Sequence, residues 1–575
     1  MRELDGNDNR GMMRQVHAIQ RRFTRASRHG RATACALVLF LSVAVASLGS
    51  VTHARTDSAA DLRPNIILFL VDDLGQQDVS VPMLQGEPTA LNRRYRTPNL
   101  EKLAARGVRF SNAYAAAPVC TPSRTAILTG QSPARTHITY WTLEKDTDQS
   151  SKHPRLDAPK WSVNGAQPSP ANLPSLLQAH GYRTIHAGKA HLGSRGTLGA
   201  DPLRMGYDLN IAGHAAGAPG SYYGLDHFKD AGRKQRGKVL PGDAPASVWD
   251  VPGLEAWHGK DIWLDDALAR EASAAMARAV SEARPFFLSF CPYGVHAPIM
   301  EDARFSAQYA ALDPTERAYA TMIAAMDDAL GQLIAQCAAL GVLDSTVILF
   351  TSDNGGLSAH ARGKAPDGAL AHTHNAPLRS GKGSAYDGGL RVPFVAAGPG
   401  IIHRGAPIAA PIVGTDLYPT ILGFAGVVPP IDRACDGLDL RQLLSGEPTA
   451  HNASIDSPFE TRTILFNQPH VWGPTGPGIE PFTAIRRGDW KLVFFHDGHA
   501  TRASGVAEGP RLELYDVAHD CGEAHDRARE DSLRLGAMLE AMQRAVEASG
   551  AQLSIERATG TSVLIPTKAA QPSSP

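Results

Sequence analysis

The chain carries no excess charge of either sign: 57 lysines and arginines balance 57 aspartates and glutamates over 575 residues. That balance removes the broad cationic field that holds nucleic-acid phosphates, so no nucleic-acid partner is expected. It leaves room for an anionic substrate, which needs only a local cationic pocket. Cysteine is scarce, six in all. Apart from Cys35 and Cys120, the four at 291, 337, 435 and 521 allow at most two bridges with three possible pairings, or none if they are buried thiols. A disulfide-dense scaffold is therefore excluded. No histidine-rich zinc spacing and no tandem repeat is present, which disfavours soft-metal sites and solenoid architectures. Long apolar runs are also missing. The run 36–48 is too short for a stable membrane span.

That run has another reading. It follows five arginines between positions 21 and 31 and precedes Thr52-His53-Ala54. Residues 1–54 are thus expected to be an export signal, and the protein to be periplasmic or secreted. What the chain does have in quantity is glycine (54) and proline (40), which suits long active-site loops on a rigid scaffold. The segment 65–71 (Asn-Ile-Ile-Leu-Phe-Leu-Val) reads as a strand buried on both faces, as do 183–187, 285–291, 346–352 and 392–397. A long amphipathic helix is expected over 315–340. Strands alternating with helices predict an α/β fold: a large mixed, mainly parallel sheet sandwiched by helices. Beyond residue 445 short strands at 464–466, 482–485, 490–495 and 512–515, then a helix near 531–549, predict a smaller C-terminal antiparallel sheet with a helix. The expected boundaries are 62–445 for the catalytic domain, 446–560 for the α+β subdomain and 561–575 for a disordered tail.

Polar motifs follow the strand ends, where open α/β sheets place their sites. Asp72-Asp73 follows the first strand, and Asp353-Asn354 follows the strand 346–352. Each pair alone could be an ordinary turn, but together they make an oxygen-only ligand set suited to Ca²⁺, with Mg²⁺ second. Lys189 and His191 sit two apart in Gly-Lys-Ala-His-Leu-Gly, His296 lies in Val-His-Ala-Pro, and Lys382 stands between glycines. The run Val119-Cys-Thr-Pro-Ser-Arg124 puts a cysteine before an apolar stretch expected to be helical from Thr125. Pro122 should keep the chain extended just ahead of that helix. A helix N-terminus favours anionic oxygens, and Arg124, one turn on, can lean toward the same anion.

The Cys-Thr-Pro-Ser-Arg run, with these distant partners in order over residues 63–445, resembles the type I sulfatases of the alkaline phosphatase superfamily. Segments 488–491 and 513–516 resemble the closing sheet of that family. Ala190 departs from it, since relatives often carry an aromatic there. The resemblance implies that Cys120 is oxidised to Cα-formylglycine by a formylglycine-generating enzyme, and that the hydrate attacks sulfate esters. It maps metal ligation onto Asp72, Asp73, Asp353, Asn354 and modified Cys120. It maps sulfate contacts onto Arg124, Lys189, His191, His296 and Lys382, with leaving-group protonation by His296 and Lys382 and proton uptake by His191. A phosphonate or phosphodiester hydrolase of the same superfamily, or a non-catalytic sulfate-binding homologue, remains an alternative.

The alcohol part of the substrate is less defined. Export and the wide loops 142–170 and 213–250 lean toward a sulfated saccharide, with small aryl sulfates as further substrates. His470 and Trp472, in a turn-rich segment, are candidate substrate-binding residues, because an indole face stacks on a sugar ring and an imidazole bonds its hydroxyls. The loop 213–223, with His214, Tyr222 and Tyr223, is the rival.

Overall fold

A computed structural model describes residues 63–230, 247–363, 372–402, 405–446, 457–498 and 511–567, with the backbone of short strands at 234–235, 238–239, 501–502 and 505–506. The expected export signal lies outside the described residues.

The elements that position the site are, in chain order, β1 (Asn65–Val71), α1 (Pro98–Ala104), β2 (Gly107–Arg109), α2 (Cys120–Thr129), β3 (Arg183–Gly188), β4 (Leu209–Ile211), α3 (Leu264–Ser281), β5 (Phe286–Cys291), α4 (Pro314–Ala339), β6 (Thr346–Ser352), α5 (Asp387–Leu390), β7 (Phe394–Ala397) and α6 (Leu417–Phe424). Seven strands form one sheet in the order β2-β7-β6-β1-β5-β3-β4. From β6 to β4 all pairings are parallel, and β7 runs antiparallel to both its neighbours. The expected mixed, mainly parallel sheet is what the chain builds.

Side chains alternate across a strand, and β1 shows the consequence. Ile67, Phe69 and Val71 join a core that includes Leu268 and Met276 of α3 and Ile323 and Leu330 of α4. Ile66, Leu68 and Leu70 join a second core on the opposite face, with Ile421 and Leu422 of α6. Both faces are covered, which is why β1 reads as an unbroken apolar run. Among the described residues no helix is long and apolar enough to cross a membrane.

The C-terminal strands β8 (Ile464–Gln468), β9 (Phe482–Arg487), β10 (Trp490–Phe495) and β11 (Arg511–Asp516) form an antiparallel sheet in that order, followed by α7 (Ser532–Ser549). Alternation works here too. Leu492 and Phe494 face Leu539 and Met542 of α7. Val493 and Phe495 face Tyr114, Tyr386 and Leu390 of the preceding part. From Arg63 onward the chain is one compact unit, so this sheet shares a core with the preceding part instead of hanging from a linker. The described part of the tail is also placed: Ser562 bridges Ile555 and Val563 is buried beside α7, which corrects the expectation of disorder for 561–567.

Candidate active site

Register builds the site. Val71 pairs with Ser352 at the ends of β1 and β6, so Asp72-Asp73 and Asp353-Asn354 leave the sheet side by side. Asp73 takes a left-handed backbone, φ 60°, and its N–H donates to Asp353 Oδ1 at 3.3 Å. All four side chains are fully buried. Burial and the neighbouring Asp353 and Asp73 carboxylates push Asp72 up to about 8 against the pull of Lys189. Burial also opposes ionisation of Asp73, but Lys382 and His296 outweigh it and hold that carboxyl below its ordinary value.

These residues fit a hard cation. Asn354 donates through Nδ2 to Asp73 Oδ1 at 2.7 Å, while its Oδ1 is buried without a hydrogen-bond donor, an expensive arrangement for a lone amide oxygen. Asp72, Asp73, Cys120 and His296 each offer a ligand atom within 4.8 Å of one another. Three carboxylates and an amide oxygen are the donor set of Ca²⁺ or Mg²⁺.

Cys120 is the first residue of α2, after extended Val119 (φ −142°, ψ 161°). The helix thus starts earlier than the Thr125 expected from sequence. Pro122 occupies the third helical position, where its missing N–H has no partner to lose. Ser123 ties the entry down, accepting from Ala117 N at 3.0 Å and donating to Ala117 O at 2.9 Å. Cys120 Sγ lies 3.5 Å from Lys382 Nζ and 3.9 Å from Asp72 Oδ1. Burial pushes the thiol up to about 11 despite Lys189 and Lys382, so at neutral pH it is protonated and a poor nucleophile.

The cations are held by the same carboxylates. Lys189 Nζ donates to both Asp72 oxygens at 2.7 Å, and Lys382 Nζ to Asp73 Oδ2 at 2.8 Å. Arg124 donates from Nε to Asp353 Oδ2 at 2.7 Å and from Nη1 to Lys189 O at 2.8 Å. Its Nη2 is buried without an acceptor. His191 Nε2 bonds Thr142 O at 2.8 Å, which puts the proton on Nε2 and leaves Nδ1 a buried acceptor with no partner. His296 bonds Ala297 O through Nδ1 at 2.7 Å and directs Nε2 to within 3.6 Å of Asp73. Burial and then the nearby lysines push both imidazoles well below their ordinary value.

The structure therefore brings together Asp72, Asp73, Cys120, Arg124, Lys189, His191, His296, Asp353, Asn354 and Lys382. A cavity of about 340 Å³ opens above them, and Trp472 lines it. His470 does not. It is buried, bonded to Thr139 Oγ1 at 2.7 Å, with Tyr140 and Trp161 each 5.2 Å from its ring. It packs the layer behind the cavity. In the rival loop, Gly217 and Ala218 line the cavity. Tyr222 instead donates to the carbonyls of Tyr293 and His296 at 2.6 and 2.8 Å. His214 meets Tyr293 Oη at 2.9 Å, and Tyr223 donates to Glu301 O at 2.6 Å. Trp141 and Trp249 also line the cavity, and sequence reasoning missed both. The signal was there for Trp249, since it falls in a loop already marked as wide.

A doubly covered, mainly parallel sheet with buried carboxylates and cations at the C-terminal ends of its parallel strands is an alkaline-phosphatase-like α/β fold. The family model described as Sulfatase matches residues 64–427, and the chain belongs to that family. Human N-acetylgalactosamine-6-sulfatase is 32% identical over 402 residues, covering 67% of this chain and 67% of that protein. Matches to the N-acetylgalactosamine-6-sulfatases of pig and human span about two thirds of those proteins. Human arylsulfatase A is 30% identical over 492 residues, covering 80% of this chain and 83% of its own. Among solved structures, Ps i-CgsB superposes with a TM-score of 0.63 at 26% identity, covering 84% of this chain and 92% of that one. It is also known in complex with k-i-k-neocarrahexaose. The resemblance read from the sequence is thus upheld at the level of family and fold.

Proposed function

We propose that the protein hydrolyses sulfate esters, of saccharides foremost and of small aryl alcohols as well, at Cys120 matured to Cα-formylglycine beside a bound Ca²⁺, with Mg²⁺ the second choice. The observation that carries this reading is the convergence on one suppressed thiol of Lys382, Lys189, Arg124 and two imidazoles, beside a buried oxygen-donor cluster. When present, the formylglycine hydrate supplies a geminal pair of hydroxyls as nucleophile and later leaving trigger, and the cation supplies the charge that acidifies them.

The chain's own residues do the rest. Asp72, Asp73, Asp353 and Asn354 Oδ1 would hold the cation. Arg124 Nη2, which has no acceptor of its own, and the ammonium groups of Lys189 and Lys382 bind and orient the sulfate oxygens. His296 Nε2, whose ring proton stays on Nδ1 against Ala297 O, accepts a proton from the Lys382 ammonium and passes it to the departing ester oxygen. His191 Nδ1, the open acceptor, takes a proton up. Complete burial of the carboxylates and of Lys189 keeps water out, which strengthens each of these interactions. A saccharide as the alcohol is supported by the carrahexaose bound to Ps i-CgsB. Export through the leader and maturation by a formylglycine-generating enzyme belong to the same reading.

The test is a rate comparison by the purified, matured protein on an aryl sulfate and the matching aryl phosphonate. Sulfate should be released with the higher kcat/KM. Preference for the phosphonate would move the protein to a different reaction in the same superfamily.

A further inference from the structure

Two kinds of residue line the cavity above Cys120. His191, His296 and Lys382 make its polar end, and Trp141, Trp249, Trp472, Leu143, Ala218 and Pro474 make its walls. Among the described lining residues every titratable group belongs to the polar end, and no carboxylate or arginine stands on the walls.

The three indoles come from three separate segments, and the backbone or the ring of each has partners in the structure. Tyr140 Oη donates to the carbonyls of Val471 and Trp472 at 3.2 and 3.0 Å. The His360 ring meets Trp472 edge-on, centroids 4.7 Å apart. Gly383, at φ +84°, lets Trp472 approach: a Cβ there would lie 2.1 Å from the indole Cε3. Lys382 Nζ is 5.8 Å from the Trp472 ring centroid, so the indole borders directly on a cation of the polar end. Trp141 lies 6.4 Å from the His191 ring, tilted by 50°. The Trp249 backbone N–H donates to Ser247 Oγ at 3.3 Å and its backbone carbonyl accepts from Gly220 N at 2.6 Å. Aromatic rings fixed before a ligand arrives offer flat contact area at little cost in conformational entropy.

Taking the sulfatase reading as its basis, we propose that Trp141, Trp249 and Trp472 form the alcohol-binding half of the site. They select a sulfate carried on a single uncharged ring with a flat apolar face, over sulfates on polyanionic saccharide chains. A neutral pyranose and an aromatic ring share that chemistry. At about 340 Å³ the cavity is at the small end of ligand pockets, roughly 300–1,000 Å³, enough for the sulfate and one ring. A uronate or second sulfate on a neighbouring ring would meet apolar walls and lose hydration without gaining a counter-charge.

The experiment compares kcat/KM of the matured enzyme on three substrates: 4-nitrophenyl sulfate, a neutral N-acetylhexosamine monosulfate, and a disulfated disaccharide containing a uronate. At least one neutral ring should exceed the disaccharide about tenfold, and the better of the two identifies the source of the ring. Trp141→Ala, Trp249→Ala and Trp472→Ala should each raise KM on that substrate about five- to tenfold, consistent with loss of one aromatic contact. Inhibition by inorganic sulfate, which touches only the polar end, should stay within about twofold. A preference for the disaccharide overturns the proposal, and this ranking needs no variant to fold. Unchanged KM in all three variants also overturns it. No turnover of any sulfate ester and no inhibition by sulfate would instead refute the sulfatase reading on which it rests.

Discussion

Replacing Lys491 by methionine removes a cation shared by two buried carboxylates, and the structure sets how much that should cost. Lys491 Nζ lies 2.7 Å from Asp387 Oδ1 and 2.7 Å from Glu523 Oε1, with all three side chains out of contact with water. The triad joins β10 to α5 and so closes the loop that carries Lys382, since Asp387 N also donates to Glu523 Oε2 at 2.7 Å. In the variant Asp387 keeps Tyr114 at 3.1 Å and Arg391 at 3.5 Å, but Glu523 loses its cation outright. Breaking one partner out of a buried ion pair costs roughly 3–5 kcal/mol. With an unfolding entropy of about 2.1 cal/mol/K per residue over about 500 residues, that is a fall in Tm of about 3–5 °C.

The pH dependence has a definite sign. Burial raises Glu523 to about 7 against the pull of Lys491, so the folded state binds that proton more tightly than the unfolded chain. Its contribution is full below the ordinary carboxylate value and is lost as pH rises through about 7. Without Lys491 both carboxyls shift up, Glu523 from its already raised value and Asp387 from below its ordinary one, so the deficit should be larger at pH 8 than at pH 5. Thermal melts of wild type and Lys491→Met at both values are the assay. A Tm within about 1 °C of wild type at pH 8, or a larger deficit at pH 5, refutes this account of the triad.

Asp353→Ala removes a cation ligand and the partner of Arg124 at 2.7 Å; elemental analysis should show wild type with one equivalent of calcium and the variant with little, and stoichiometric zinc in wild type would contradict the oxygen-donor assignment. His296→Ala should slow sulfate esters of weakly acidic alcohols more than nitrophenyl sulfate, because only the former need a proton at the leaving oxygen; equal losses would take His296 out of that role. At Gly217 an added Cβ would lie 2.5 Å from His191 Nδ1 and Cε1, so Gly217→Val should displace the imidazole and lower kcat at least about tenfold with Tm little changed, and an unaltered kcat would show that His191 Nδ1 is not used.

Most of the polar ring was legible because each member follows a strand end, and the order of strand ends is readable from apolar runs such as 65–71 and 346–352. Register then does what spacing cannot: pairing Val71 with Ser352 brings together residues about 280 positions apart. The start of α2 was misplaced because the rule for the residue before proline weakens in the first helical turn, where no backbone bond is lost. Thr97 stands at the N-cap of α1, yet its hydroxyl bonds Ser80 and not the helix. His470 and Trp472 were indistinguishable in sequence, since what separates them is Tyr140 and Trp161 from a distant loop, which enclose the first and leave the second facing the cavity. Trp141 carries no local pattern that marks it, and Trp249 only its place in the wide loop 213–250. Lys491 gave no hint of burial either, for a lysine within a strand normally faces water, and only Asp387 and Glu523 explain its inward turn.

The central claim is that Cys120 acts only after conversion to formylglycine, and the tryptic peptide 110–124 tests it directly. Conversion makes that peptide about 18 Da lighter than the thiol form. Preparations made with and without a co-expressed formylglycine-generating enzyme should differ in the converted fraction, and sulfate ester turnover should rise in proportion to it, reaching zero at zero conversion. Full turnover by protein whose Cys120 is entirely the unmodified thiol would contradict the account.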